Sequence, residues 1–338
     1  MEDFQPDILH IFGTEYVHSL AAVKAFGRPD QTVINIQGLV SVYAGHFMAN
    51  LPDSVQKGYT LRDLIRRDNL IRQRESFYRR AVFEKEAIRL AGHVIGRTDW
   101  DEACTKQIHP NVRYHFCNET LRDSFYEKAW KLSDCEKHSI FVSQGSYPIK
   151  GLHFMLEALP IIRESWPDVH LYVAGGDIVH LDGRDTFRLS SYGKYIRKLI
   201  YGNGLEELVT FTGFLNEKEM RDRYLRTHVF VSPSSIENSP NSVCEAMILG
   251  VPSVCSDVGG VKNLMTHEQE GYIYPMDAPY MLAYYVMKLF ASDERACQLS
   301  DAARKRALVT HDRETNQSRM LAIYREIAAG GDHEAIKD

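Results

Sequence analysis

No stretch of the 338 residues is apolar for long enough to cross a bilayer, and no signal peptide is recognisable at the start. A cytoplasmic location is expected. An excess of basic residues is also lacking. The net charge is −5, which argues against a nucleic-acid partner. Cysteine is sparse: Cys104, Cys117, Cys135, Cys244, Cys255 and Cys297 are scattered without metal-ligand spacing. They fit a reducing compartment, with thiols packed as small hydrophobes. No internal repeat stands out. What remains is 44% hydrophobic and 25% charged, an ordinary globular chain with the length of two domains.

Short apolar runs alternate with helical periodicity along the whole chain. Residues 7–13, 32–36, 93–96 and 112–116 read as strands. Leu61 to Leu90 reads as a long helical stretch whose apolar phase drifts, so at least one break is expected. A second series begins near His138, with strands over 140–143, 169–176, 208–213, 228–231, 251–255 and 271–275. Asn216 and Glu219 have the spacing of a capping box. Residues 279–328 read as helical, and Gly330-Gly331 opens a polar tail expected to be disordered. This alternation predicts an α/β fold: two Rossmann-like, doubly wound domains facing a cleft.

The stretch from Ser234 to Gly260 concentrates the chemistry. A short helix, expected over 243–249 and closed by Gly250, lies between two buried strands, which makes a parallel βαβ unit. Ligands of such sheets sit beyond the strand C-termini, at helix N-termini. The free amides at that end favour a phosphate. Asn241, Ser242 and Val243 lie there without bulk. Glu237 and Glu245 flank the turn and could accept sugar and ribose hydroxyls. Two plainer readings stay open. Glu245 could close a capping box on Ser242, and Glu237 could be a solvated loop residue. A glycosidase pair is also compatible with the spacing, although the phosphate-ready helix end points away from hydrolysis.

The composite of Glu237-x7-Glu245, Ala246-Met247-x-x-Gly250-x-Pro252 and Gly259-Gly260 resembles the retaining glycosyltransferases of family 4, which have the GT-B fold. The resemblance implies a UDP- or GDP-hexose donor and a glycan or lipid-linked acceptor, in polysaccharide or cell-surface glycan synthesis. It implies no metal and no other cofactor. It places Glu237 and Lys150 at the reaction centre, with Lys150 neutralising the leaving diphosphate. Glu245 would bind the ribose. Gly175, Gly176, Gly213, Phe214 and Leu215 would approach the nucleotide, and Gly259 and Gly260 the donor sugar or phosphate. The domains expected are an acceptor-side domain at 1–138, a donor-binding domain at 139–304, and a returning helix with its tail at 305–338.

Three departures from the family pattern stand out. An arginine expected about five residues before Lys150 is replaced by the Gln144-Gly145 region, and a histidine expected near the donor sugar by Gln37. The chain also starts close to the fourth strand of the family's first domain, so a truncated acceptor-side domain with little activity is expected. Two alternatives are therefore carried: a nucleotide-sugar epimerase, or a non-catalytic remnant that binds nucleotide. Lastly, Arg62 to Arg80 holds seven arginines interleaved with Phe77 and Tyr78. Its plain reading is a solvated, ion-paired helix face, and its sharper one is contact with the inner face of an anionic membrane.

Overall fold

The computed structural model describes residues 4–179 and 186–331. The chain divides into two compact units. Unit 1 comprises the residues up to Gly45, Glu75–Thr120 and the residues from Thr310 on. Unit 2 comprises His46–Arg74 and Leu121–Val309.

Unit 1 is built on four parallel strands in the order β1-β2-β3-β4: Leu9–Phe12, Thr32–Asn35, His93–Gly96 and Arg113–Phe116. Side chains alternate across the sheet. Ile34 and Val94 pack on one face with Leu20, Val23 and Ile88, from the helices Val17–Phe26 and Leu70–Leu90. Val33 and Ile95 pack on the other with Ile323 and Ile327, from the helix Arg313–Gly331. The last described helix is therefore part of the core of the first unit.

Unit 2 contains β5 to β10: Glu136–Val142, His170–Val173, Val209–Phe211, Thr227–Ser232, Ser253–Ser256 and Tyr272–Tyr274. All are parallel, in the order β10-β9-β8-β5-β6-β7. Read from β7, this is the doubly wound order 3-2-1-4-5-6, whose direction of winding reverses between β5 and β8. The two Rossmann-like units expected from the alternation are the units found.

Several boundaries differ from the sequence reading. The change of unit falls after Thr120 rather than near residue 138. Residues 121–135 lack a strand but carry anchors into unit 2. The Trp130 indole donates to the Thr227 carbonyl at 2.7 Å, and Phe125 is buried. The long helical stretch breaks once, into Leu61–Arg66 and Leu70–Leu90, at Arg67 with φ 54°. The helix of the βαβ unit runs Asn241–Leu249, two residues earlier than expected, and stops at Gly250 with φ 77°. Asn216 and Glu219 do form a capping box on the helix Glu217–Leu225. The polar tail expected after Gly331 lies outside the described residues.

The Arg62 to Arg80 stretch does not form one continuous basic face. Arg62 donates to both oxygens of Asp68, at 2.9 and 3.0 Å, and also pairs with Asp63. Arg80 lies 4.3 Å over the Phe77 ring and donates to the Glu15 carbonyl.

Candidate functional site

The loops after β5 and β8 leave the sheet where its winding reverses, the place at which such sheets bind ligands. Glycines let them approach. After β5 the chain makes one 3-10 turn, Pro148–Lys150, closed by Gly151 at φ 69°. A Cβ at Gly151 would stand 1.8 Å from the Pro233 carbonyl oxygen of the β8 loop. The Ser235 amide donates to the Ile149 carbonyl at 2.8 Å. This contact sets Lys150 Nζ 2.6 Å from Glu237 Oε1, an oxygen that also accepts from Ser234 Oγ at 2.7 Å. From the other side, Gly260 N donates to the Glu237 carbonyl at 3.2 Å. Gly259, at φ 50°, has no room for a Cβ, which would lie 1.7 Å from that same carbonyl oxygen.

Lys150, Glu237, Gly259 and Gly260 are thus brought together at the switch point. Glu237 is not a solvated loop residue: its side chain is 8% exposed, against 21% for Lys150. Burial works to lower the Lys150 pKa. The Glu237 carboxylate and the Tyr147 hydroxyl outweigh it, and the net direction is upward. Lys150 is therefore a cation throughout the neutral range.

The Asn241–Leu249 helix begins beside this pair, with Pro240 as its N-cap and no side chain capping it. Asn241, Ser242 and Val243 form its first turn: the Val243 amide donates to the Pro240 carbonyl at 3.0 Å, which leaves the Asn241 and Ser242 amides without a helical partner, the kind of helix start that favours an anion. The capping box on Ser242 is absent because the helix starts before Ser242. Glu245 is engaged instead by Arg122, which donates to its Oε1 through Nε at 3.0 Å and Nη2 at 2.7 Å. Burial raises the Glu245 pKa above the usual carboxylate range, and Arg122 only partly opposes this. Arg122 was missed in the sequence. It lies 123 residues from Glu245, and no local motif marks it.

Two glycine loops follow β6 and β7. Gly175 N donates to the Gly213 carbonyl at 2.9 Å, with φ 105° and 77° at the two glycines. Phe214 is exposed and stands over Gly176, 3.6 Å from where its Cβ would be. Leu215 is half-buried beside it.

Gln37 belongs to unit 1, at the end of β2. Its side chain meets Glu119, whose other oxygen pairs with the buried Arg97 at 2.6 Å. Arg97 also donates to the Ile36 carbonyl at 3.3 Å. Arg97 and Glu119 were likewise missed. They reach Gln37 only through β3 and the segment after β4.

Among the described residues no group of three or more His, Cys, Asp or Glu side chains is placed to hold a metal ion. The chain's single Asp-x-Asp, Asp99-Trp100-Asp101, opens a helix. Asp101 is buried there, accepting from the Arg97 amide at 2.9 Å and from the Tyr114 hydroxyl. No helix among the described residues is long and apolar enough to cross a membrane.

This geometry agrees with what the chain resembles. The family model described as glycosyl transferases group 1 matches residues 124–306, more than half of the chain, which therefore belongs to that family. An uncharacterized glycosyltransferase of Methanocaldococcus jannaschii is 30% identical over 167 residues, 49% of this chain and 39% of that protein. The chain spans about half the length of the curated relatives it matches, or less. Sucrose-phosphate synthase of Thermosynechococcus elongatus has TM-score 0.72 at 18% identity, over 97% of this chain and 75% of that one. The Anabaena HepE structure in complex with UDP-glucose has TM-score 0.69 at 19% identity, over 93% and 78%. The fold is GT-B.

Proposed function

We propose that this protein is a retaining hexosyltransferase of the family 4 type. It takes a hexose from a UDP- or GDP-sugar and passes it to a glycan or lipid-linked acceptor, without a metal. The observation that carries the reading is the Lys150–Glu237 pair, 2.6 Å apart beside the open start of the Asn241 helix. A cation and a helix N-terminus converge where a diphosphate would lie, and a buried carboxylate stands next to them for sugar hydroxyls. Lys150 would turn from Glu237 to share itself with the leaving diphosphate. Glu245 would exchange Arg122 for the ribose.

In the step itself the bond from the sugar's anomeric carbon to the diphosphate oxygen breaks. The acceptor oxygen forms its bond on the same face, and its proton goes to the departing phosphate. The positive Lys150 and the helix amides stabilise the charge that grows on that phosphate. The single arginine missing before Lys150 leaves them the main phosphate ligands.

The test is calorimetric titration with UDP, GDP and their hexose conjugates, in EDTA. UDP-glucose comes first, because the Anabaena structure of the same fold holds it. Binding of a nucleotide diphosphate in EDTA, tightened by the correct sugar, is expected. Binding that needs a divalent ion, or no binding of any nucleotide, would overturn the reading.

A further inference from the structure

We propose that unit 2 carries a docking surface for the anionic face of a lipid bilayer, built from the helices Leu61–Arg66 and Ser191–Gly202. This goes beyond the transferase reading and does not depend on it. The surface has an apolar part and a cationic part, locked to each other.

The apolar part is the outer face of the short helix. Leu61, Leu64 and Ile65 fall at positions i, i+3 and i+4, which puts them on one face. They are 58%, 60% and 74% exposed. Nothing among the described residues covers them. Single exposed leucines are ordinary, whereas three on one turn, joined by the exposed Tyr59, make a patch. Arg66 and Arg67 follow at once, both exposed and unpaired among the described residues.

The cationic part is a cleft of about 460 Å³ walled by Tyr59, Thr60, Ser191, Lys194, Tyr195 and Lys198. No carboxylate among the described residues lines it. Lys194 and Lys198 stand one helical turn apart, exposed, with no ion-pair partner among the described residues. Like charges at that spacing repel, so an anion between them would be stabilising. A second cleft of about 480 Å³ shares Tyr59, Thr60 and Lys194 and adds Leu61 and Arg197. It joins the cations to the apolar patch.

Asp63 fixes the two parts together. It is 1% exposed and accepts from the Ser191 amide and the Ser191 hydroxyl, each at 2.9 Å, and from Arg62 at 3.0 Å. One acidic side chain therefore ties the short helix to the start of the lysine helix. Apolar side chains that enter a bilayer and lysines that meet lipid phosphates are the two signals a stable interfacial contact needs. The occupant is thus an anionic phospholipid surface. It is not met by the arginine run as a whole, in which Arg62 and Arg80 are already engaged.

The experiment is sedimentation of the full chain with phosphatidylcholine vesicles, with and without phosphatidylglycerol. Three proteins are compared: the unaltered chain, Leu64→Ser/Ile65→Ser, and Lys194→Gln/Lys198→Gln. Thermal melting and nucleotide titration serve as controls for folding. The unaltered chain should bind only the vesicles that contain phosphatidylglycerol. Each double variant should bind at least about tenfold more weakly, since a basic group near an anionic surface is worth on the order of fivefold. Raised salt should weaken the unaltered chain more than the lysine variant. Absence of vesicle binding would overturn the proposal, as would binding that both variants keep. Lysine-dependent binding of inorganic phosphate without vesicle binding would make the cleft a free-anion site and overturn it too. Loss of nucleotide binding alone would count against the transferase reading and leave the vesicle result standing.

Discussion

Glu237 and Glu245 lie on one short motif yet sit with different cations. Glu237 is held by Lys150 and Ser234, and Glu245 by Arg122. Lys150→Ala should weaken nucleotide diphosphate binding by about 1.5–3 kcal/mol, roughly ten- to hundredfold in Kd. An unchanged Kd would remove Lys150 from the site. Glu237→Gln should leave free nucleotide almost unaffected but weaken nucleotide sugar and turnover, whereas Glu245→Gln should weaken the nucleotide alone. If both substitutions changed only the melting temperature, neither glutamate would be a ligand. A different residue governs acid stability. His153 Nε2 must donate to the Ala49 carbonyl, 2.8 Å away, because a carbonyl only accepts. Burial lowers its pKa to about 4, against a partial opposing effect of that hydrogen bond. The unfolded imidazole protonates near 6.5, so between the two values the unfolded state holds the extra proton. Stability is therefore complete above 6.5 and falls by about 3 kcal/mol as the pH drops towards 4. His10 and His228, also lowered to about 4 by burial, add in the same direction. A urea midpoint measured against pH should fall less steeply in His153→Gln, and an unaltered slope would refute the assignment. At this scale the sequence spoke clearly only where function and spacing coincide. Glu237, Glu245 and Lys150 could be singled out from motif, but Arg122 and Arg97 could not, because their partners are distant in the chain.

Elements were legible where periodicity was strong. All ten strands fall within the apolar runs, or overlap them, because parallel strands buried on both faces are written as continuous hydrophobic segments. The start of the site helix was misjudged because Pro240, which donates no cap, left Ser242 as the apparent N-cap. The turn that carries the site is sterically constrained. Gly259→Ala forces a Cβ into the Glu237 carbonyl and a non-glycine residue into φ 50°. It should displace Glu237 and abolish sugar-dependent binding while unit 2 still melts cooperatively. The strand β1 makes a separate prediction. Among the described residues it pairs only with β2, and Phe12 is 67% exposed at this edge. Open apolar edges recruit other chains. The protein should self-associate in a concentration-dependent way, and Phe12→Lys should reduce this in analytical ultracentrifugation. Equal association of both proteins would clear the edge of blame.

The two-unit architecture could be read from the alternation of elements, but its borders could not. Residues 46–74 leave one unit for the other and return, and no composition change marks either passage. Contacts between distant segments decide them, such as Asp63 with Ser191. The helix Arg313–Gly331, read in the sequence as a returning helix, packs on unit 1, where Ile323 and Ile327 complete one face of the sheet and Tyr324 bonds His10 at 2.6 Å. A chain ended at Val309 should therefore lose protease resistance in unit 1 while retaining nucleotide affinity in unit 2. Loss of both, or of neither, would contradict this division.

That closing helix also bears on how the protein is made. The ribosome releases β1 to β4 early, but Ile323 and Ile327 emerge roughly 200 residues after the last strand they cover, at translation rates some ten seconds or more later. For that interval Val33 and Ile95 lack the helix side chains that pack on them, while the strands of unit 2 are already being completed. Of these two units, the one whose strands are made first receives its last core residues second, and its sheet is where the nascent chain has most need of a chaperone.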